Sequence, residues 1–400
     1  MKLRILLIPA ALILASCSMG SMKDGDYEIM GTPGADSGYE GGTEDNGNDG
    51  GNSLAGIVTA GEWNDLENWG FWNDLMDGQN EGKFYDYLNY WNLYTENRFA
   101  VTVVDEAGTA VCGAKVELFV NDAPKAAWTA ISDNKGSAEL WYHIGSNVDT
   151  EEEKTFTVAV NGTKFSEPLT PTYNSAEQVN MNEIVAEQSV PRSSADIAFI
   201  VDATGSMYDE INFLKDDLLN IIQRASSKTT KELRTAALFY RDEGDEYVTR
   251  HEDFNTDPEK TLKFIQKQEA NGGGDYPEAV HTALEKALQN LSWGEGNYAR
   301  LAFLLLDAPP HYQQEVLGSL KESIELYAAN GIKIIPIAAS GVDKNTEFIL
   351  RLMAIYTDGT YTFITNHSGV GNDHIVPTTG HFQVEQLNDL IVRLIQEYTE

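Results

Sequence analysis

Over the C-terminal half of the chain, uninterrupted apolar runs alternate with amphipathic ones. The runs at 196–201, 233–240, 301–306, 332–338 and 361–364 are continuous and rich in Ile, Leu, Val and Phe. Strands of that kind belong to parallel sheets covered on both faces. Between them Ile211, Leu214, Leu218 and Ile222 keep to one helical face, as do Leu317, Leu320, Ile324 and Tyr327, and Leu387, Ile391 and Leu394 close the chain in the same way. This pattern predicts a doubly wound α/β domain over 189–400, Rossmann-like, with a mainly parallel sheet. In such sheets ligands bind beyond the carboxyl ends of the strands, so the residues that follow each strand matter most.

Upstream the period changes from helical spacing to alternation. Segments at 98–104, 114–120, 128–131, 137–142 and 155–160 are separated by the turn residues Asp105-Glu106-Ala107-Gly108, Asn134-Lys135-Gly136 and Asn161-Gly162. They predict an all-β sandwich over 97–188. Before it, 54–96 carries Trp63, Trp69, Trp72 and Trp91 among many Phe and Tyr. Aromatic side chains bury so much area that this segment reads as core packed on the domain that follows, in preference to an exposed sugar-stacking platform.

The first 53 residues fit neither pattern. Lys2 and Arg4 precede an apolar run at 5–14 that ends in Leu14-Ala15-Ser16-Cys17, the layout of a secretory leader over 1–16. Leu-Ala-Ser-Cys resembles a bacterial lipobox, which implies cleavage before Cys17, acylation of that residue, and attachment to a membrane as a lipoprotein. Residues 18–53 contain ten glycines, eight acidic residues and the single base Lys23, which makes 17–53 a self-repelling tether. Its Glu44-Asp45-Asn46-Gly47-Asn48-Asp49-Gly50 stretch lacks the closing Glu of an EF-hand loop. Lys23-Asp24 is similar to the charged export signals of surface lipoproteins in Bacteroidetes. The implied place is the outer membrane, facing the cell surface or the periplasm.

Composition narrows the function. The 400 residues carry 62 Asp plus Glu against 28 Lys plus Arg, a formal charge of −34. That field repels phosphate backbones, so nucleic acid is excluded as a partner. Cys17 and Cys112 are the only cysteines, too few for a disulfide framework or a thiolate zinc cluster. Val103-Val104-Asp105-Glu106-Ala107-Gly108, the run from Val111 through Cys112 to Leu118, and Ser132-Asp133-Asn134-Lys135-Gly136 resemble the carboxypeptidase-regulatory or transthyretin-like immunoglobulin-type module. That family's members are mostly accessory, which implies spacing or binding, with Cys112 a small buried hydrophobe.

After the first strand of the α/β domain comes Asp202-Ala203-Thr204-Gly205-Ser206-Met207. One carboxylate and two hydroxyls on a tight turn make an oxygen-only ligand set, suited to Mg²⁺ or Ca²⁺. The block from Phe199 to Met207 resembles the metal-ion-dependent adhesion site of von Willebrand factor A domains, whose motif is Asp-x-Ser-x-Ser with a later Thr and a later Asp. The resemblance implies a divalent cation held by Asp202, Thr204 and Ser206, with Asp307 at the distal aspartate. It places Asp275, in the loop Asn271-Gly272-Gly273-Gly274-Asp275-Tyr276-Pro277-Glu278, where the family has threonine. A carboxylate there neutralises the ion and weakens its pull on an acidic ligand. Asp242 and His311 are expected on the rim of the same crevice.

Catalytic signatures are missing: there is no His-Glu-x-x-His and no Gly-x-Ser-x-Gly. His251, His281, His311 and His374 lack ligand spacing and read as structural or surface residues. The Gly272-Gly273-Gly274 run lacks the Lys-Ser/Thr ending of a phosphate loop, and Pro277 fits the first turn of a helix. Three functions remain: a lipid-anchored binding protein that engages a protein or glycan through the cation, an envelope assembly component with the metal as a staple, and a metal-assisted hydrolase using Asp275 or Asp242 as base.

Overall fold

A computed structural model of the chain describes residues 3–9, 56–77, 84–145, 153–172, 178–187, 192–229, 231–296, 298–368 and 373–400. Cys17, the tether and most of the leader lie outside the described residues. Strand β1 (Leu3–Pro9) runs antiparallel to β9 (Gln178–Val185). An apolar segment beside an open sheet edge pairs with it, which is how part of the run read as a leader enters a sheet.

In chain order there follow β2 (Thr59–Trp63), α1 (Trp69–Met76) and α2 (Phe84–Trp91), then β3 (Arg98–Val104), β4 (Lys115–Val120), β5 (Trp128–Ile131), β6 (Ser137–Trp141), β7 (Phe156–Val160) and β8 (Thr163–Phe165). Strands β1 and β3–β9 form two four-stranded sheets, ordered β1-β9-β3-β6 and β5-β4-β7-β8. Cys112, between β3 and β4, is half-buried, and burial pushes its thiol pKa up.

The C-terminal half continues with β10 (Ser194–Asp202), α3 (Ile211–Lys228), β11 (Glu232–Tyr240), β12 (Thr249–Asn255), α4 (Pro258–Gln266), α5 (Val280–Asn290), β13 (Tyr298–Leu306), α6 (Gln314–Ala329), β14 (Ile332–Ala338), α7 (Lys344–Tyr356), β15 (Tyr361–Ile364), β16 (Glu385–Gln386) and α8 (Leu387–Thr399). They build one mixed sheet ordered β12-β11-β10-β13-β14-β15-β2-β16, whose β11-β10-β13-β14-β15 core is parallel. The strand alternation sorts its side chains between two cores. Ile197, Phe199 and Val201 pack with α3, α4 and α8, while Ala198 and Ile200 pack with α5, α6 and α7. Every residue of β10 is buried, as expected of a central strand covered twice.

Residues 54–96 do more than lie against the next domain. Strand β2 joins the large sheet antiparallel to β15, with Tyr361 opposite Trp63. Trp72 stacks on Phe348 of α7 with ring centroids 5.9 Å apart, and Phe84 meets the same ring edge-on at 5.7 Å. Trp91 Nε1 donates to Asn345 Oδ1 at 2.8 Å, and Tyr356 donates its hydroxyl to Tyr94 O at 3.0 Å. The buried aromatics of the segment are thus core, packed on α7, while β2 pairs with β15. The segment's apolar cluster runs without a break into β3–β9 and the α5–α7 face. The turn between α6 and β14 touches β5 so closely that a Cβ on Gly331, which sits at φ +62°, would lie 2.7 Å from Ile131. Only glycine fits both the conformation and the space.

Candidate metal centre

The end of β10 delivers Asp202 into a buried position, with 0% of its surface exposed. The chain then turns sharply. Thr204 donates both its backbone N–H and its Oγ1 hydrogen to Asp202 Oδ1, at 2.8 and 2.7 Å, and Thr204 Oγ1 lies 3.1 Å from Ser206 Oγ. This Asx-type closure fixes one carboxylate and two hydroxyls within a few ångströms of each other. Thr204 is buried and Ser206 is exposed, so the group opens to solvent on the serine side.

From the neighbouring strand β13, Asp307 enters the same place, 5% exposed, with the Ser206 hydroxyl hydrogen-bonded to it. The glycine-rich loop closes over both. Gly205 N donates to Gly272 O at 3.1 Å, Asn271 N to Ala203 O at 3.0 Å, and Glu278 N to Pro309 O at 2.9 Å. Gly272 has φ +80° and Asp245 packed against it so tightly that any Cβ would overlap the carboxylate, while Gly273 N donates to Asp245 Oδ2 at 2.8 Å. Glycine is required here by backbone conformation and by this close approach.

The two acidic residues of the loop differ in burial. Asp275 is exposed on the loop, whereas Glu278, three residues later, is 3% exposed. A Cβ built on Gly273 would lie 3.0 Å from Glu278 Oε1 and 3.4 Å from Thr204 Cβ, which puts the glutamate beside the Asp202 turn. The loop curls back through Pro277 into α5, and this carries Glu278, not Asp275, inward. Its position just before the buried Ala279-Val280 pair was the available sequence clue.

Three buried carboxylates lie near enough to act on one another through their charges. Asp202 Oδ2, Asp307 Oδ1 and Glu278 Oε2 are buried and have no hydrogen-bond partner. Burial, and then the charge of Asp307, push the Asp202 pKa up; burial does the same to Asp307, with Glu210 adding to it. Glu278 is pushed up to about 9 by burial and by the charges of Asp202, Asp242, Asp307 and Asp245. Unpaired buried anions are held only by protonation or by a cation. Two carboxylates, two hydroxyls and a third carboxylate alongside are hard oxygen donors that fit Mg²⁺ or Ca²⁺. Among the described residues no three His, Cys, Asp or Glu side chains converge as a cage of their own; the hydroxyls of Thr204 and Ser206 are needed to complete the set.

Asp242 and His311 meet at the edge, with His311 Nε2 2.6 Å from Asp242 Oδ1. A residue the sequence leaves unmarked sits behind Asp307: Glu210, 2% exposed, accepts from Ser340 N at 3.1 Å and lies 2.9 Å from His374 Nε2. His374 is thus a buried partner of the site's surroundings, and the spacing of the histidines carries no trace of it.

The cluster lies at the carboxyl ends of the parallel strands of the large sheet. Residues 196–366 match the family model of the von Willebrand factor A domain, so the C-terminal half carries such a domain. The chain is also similar to the putative ariadne-like RING finger protein R811 of Acanthamoeba polyphaga mimivirus, 29% identical over 129 residues, covering 32% of this chain and 12% of that protein. Human hemicentin-1 is 31% identical over 109 residues, 27% of this chain and 2% of the relative. The chain therefore spans only a small part of either relative.

Proposed function

We propose that the protein is a lipid-anchored component of a bacterial outer membrane whose von Willebrand factor A domain holds a divalent cation and binds a protein or glycan partner through it. The observation that carries this reading is the gathering of Asp202, Thr204, Ser206 and Asp307, in which, among the described residues, no basic side chain is hydrogen-bonded to either buried carboxylate and the Tyr240 hydroxyl lies beside Asp202. Bound there, the ion supplies positive charge and an open coordination position toward the partner. The surface beside it suits recognition. Tyr208, Tyr276 and Tyr312, each close in sequence to a site residue, are 69%, 44% and 46% exposed, and exposed aromatic rings are favoured anchors for a partner. Asp275 is exposed and Asp242 is hydrogen-bonded to His311, which supports binding over hydrolysis. Von Willebrand factor A domains are in general interaction modules.

Glu278 favours one second reading. A third carboxylate beside the ion lowers its residual charge, as a structural staple requires. Affinity capture from envelope extracts with the full chain, in Mg²⁺ or in chelator and beside an Asp202→Ala variant, separates the two. The binding reading predicts partners retained in Mg²⁺ and lost in both other arms; the same partners retained in chelator select the staple.

A further inference from the structure

The parallel strands present the carboxylate centre after β10 and β13. At the far edge of the same sheet, where Thr360 leads into β15, lies an open groove of about 670 Å³. Its walls come from β2 and the turn after it, from the segment before β16, and from the last turns of α8. The size falls within the range of about 300–1,000 Å³ usual for small-ligand sites.

The groove has a charged side. Arg393 holds Glu62 at 2.9 Å and Glu385 at 2.6 Å, and Lys135 holds Glu397 at 2.8 Å. The same groove is lined by neutral polar groups: Asn64 and Asn68, half-buried on the turn, where Asn64 Oδ1 accepts from Leu66 N and Glu67 N and Asn68 Nδ2 donates to Asn64 O, and the exposed Gln383. Trp63 and Phe382 add half-buried aromatic surface. Thr360 forms part of the floor. It is 2% exposed, lines the groove, and its hydroxyl has no hydrogen-bond partner. Such groups are rare in folded proteins and each asks for an explanation.

We propose that this groove is a second ligand site and takes a short uncharged oligosaccharide. Donors and acceptors are interleaved along it, amides and a guanidinium beside carboxylates. Sugar hydroxyls, which donate and accept at once, match such an array. The aromatic surfaces suit the apolar faces of sugar rings. Glu62, Glu67, Glu385 and Glu397 outnumber Arg393, so acidic sugars are repelled. The site is independent of the cation centre.

The test is calorimetric titration of the full chain, in chelator so that the cation centre plays no part. The probes are cellotriose, maltotriose, mannotriose and N-acetylchitotriose, with trigalacturonate and spermidine as charged comparisons. At least one neutral trisaccharide is expected to give saturable heat, weakened about tenfold or more by a Glu67→Ala/Gln383→Ala double substitution of exposed groove residues. Thr360→Val is expected to weaken it too while leaving the melting temperature unchanged or raised, because it removes an unsatisfied hydroxyl. No heat from any of the four sugars overturns the proposal, as does binding that both variants leave intact. Heat from spermidine alone overturns it in favour of an organic-cation site, and heat from trigalacturonate alone overturns its charge argument.

Discussion

Arg351→Ala is expected to cost about 3–5 kcal/mol of folding free energy, the usual loss when one partner of a buried ion pair is removed. Arg351 is fully buried on α7. Its Nε donates to Asp65 Oδ2 at 2.8 Å and its other nitrogens reach Asp65 Oδ1 and Thr378 O, each at 2.5 Å, while Glu347 lies 3.5 Å away. The guanidinium also lies over Trp72 and Phe84, 5.2 Å from each ring centroid. Removing it strands Asp65 without its counter-charge and takes packing from the aromatic segment. Arg351→Lys is expected to recover little, because a single ammonium does not reproduce the planar fork. The exposed pair Lys115–Glu117 is the control, since such pairs contribute about 0–1 kcal/mol. Urea unfolding checks this: a loss below about 1 kcal/mol for Arg351→Ala would show that the segment 59–95 is not locked to α7 as described.

The second large effect concerns pH. Glu278 ionises near pH 4.5 when unfolded and at about 9 when folded. The folded state therefore binds more protons between those values, so without divalent cation the contribution of this group to stability is fully present below about pH 4.5 and is lost as pH rises toward 9. The raised pKa values of Asp202 and Asp307 act in the same direction. A cation replaces the protons, so its affinity rises over the same window and its addition restores the lost stability. At a concentration one hundred times its Kd it stabilises by about 2.7 kcal/mol. Glu278→Gln is expected to flatten the slope in chelator, leaving the part that Asp202 and Asp307 carry. Melting temperatures from pH 5 to 9, with chelator or with Mg²⁺, test this; a stability that rises with pH in chelator contradicts it.

The parallel strands were legible because burial on both faces leaves an unbroken apolar run, and the Asp202 turn was legible because its carboxylate and two hydroxyls lie within five residues. Strand β12 was not, since only Phe254 of Thr249–Asn255 is buried and the rest is polar. Strand β2 was not, because its partner β15 lies some three hundred residues away in sequence, and no local period reports a long-range pairing. The continuous apolar cluster was equally invisible: composition shifts near residues 97 and 188 suggested boundaries, while the packing of α7 against both Trp72 and Trp141 through Phe348 and Tyr356 joins the segments. At the centre, Asp202, Thr204, Ser206 and Asp307 come together from loops the sequence marked. Glu278 was missed because a resemblance fixes a loop more surely than the residue within it that turns inward.

The central claim is the cation. Calorimetric titration of the metal-stripped chain with Mg²⁺, Mn²⁺ and Ca²⁺, beside Asp202→Ala, tests it most directly. One-site saturable heat that disappears in Asp202→Ala is the predicted result. A folded protein that takes up none of the three ions, or binds them equally well without the Asp202 carboxylate, contradicts it.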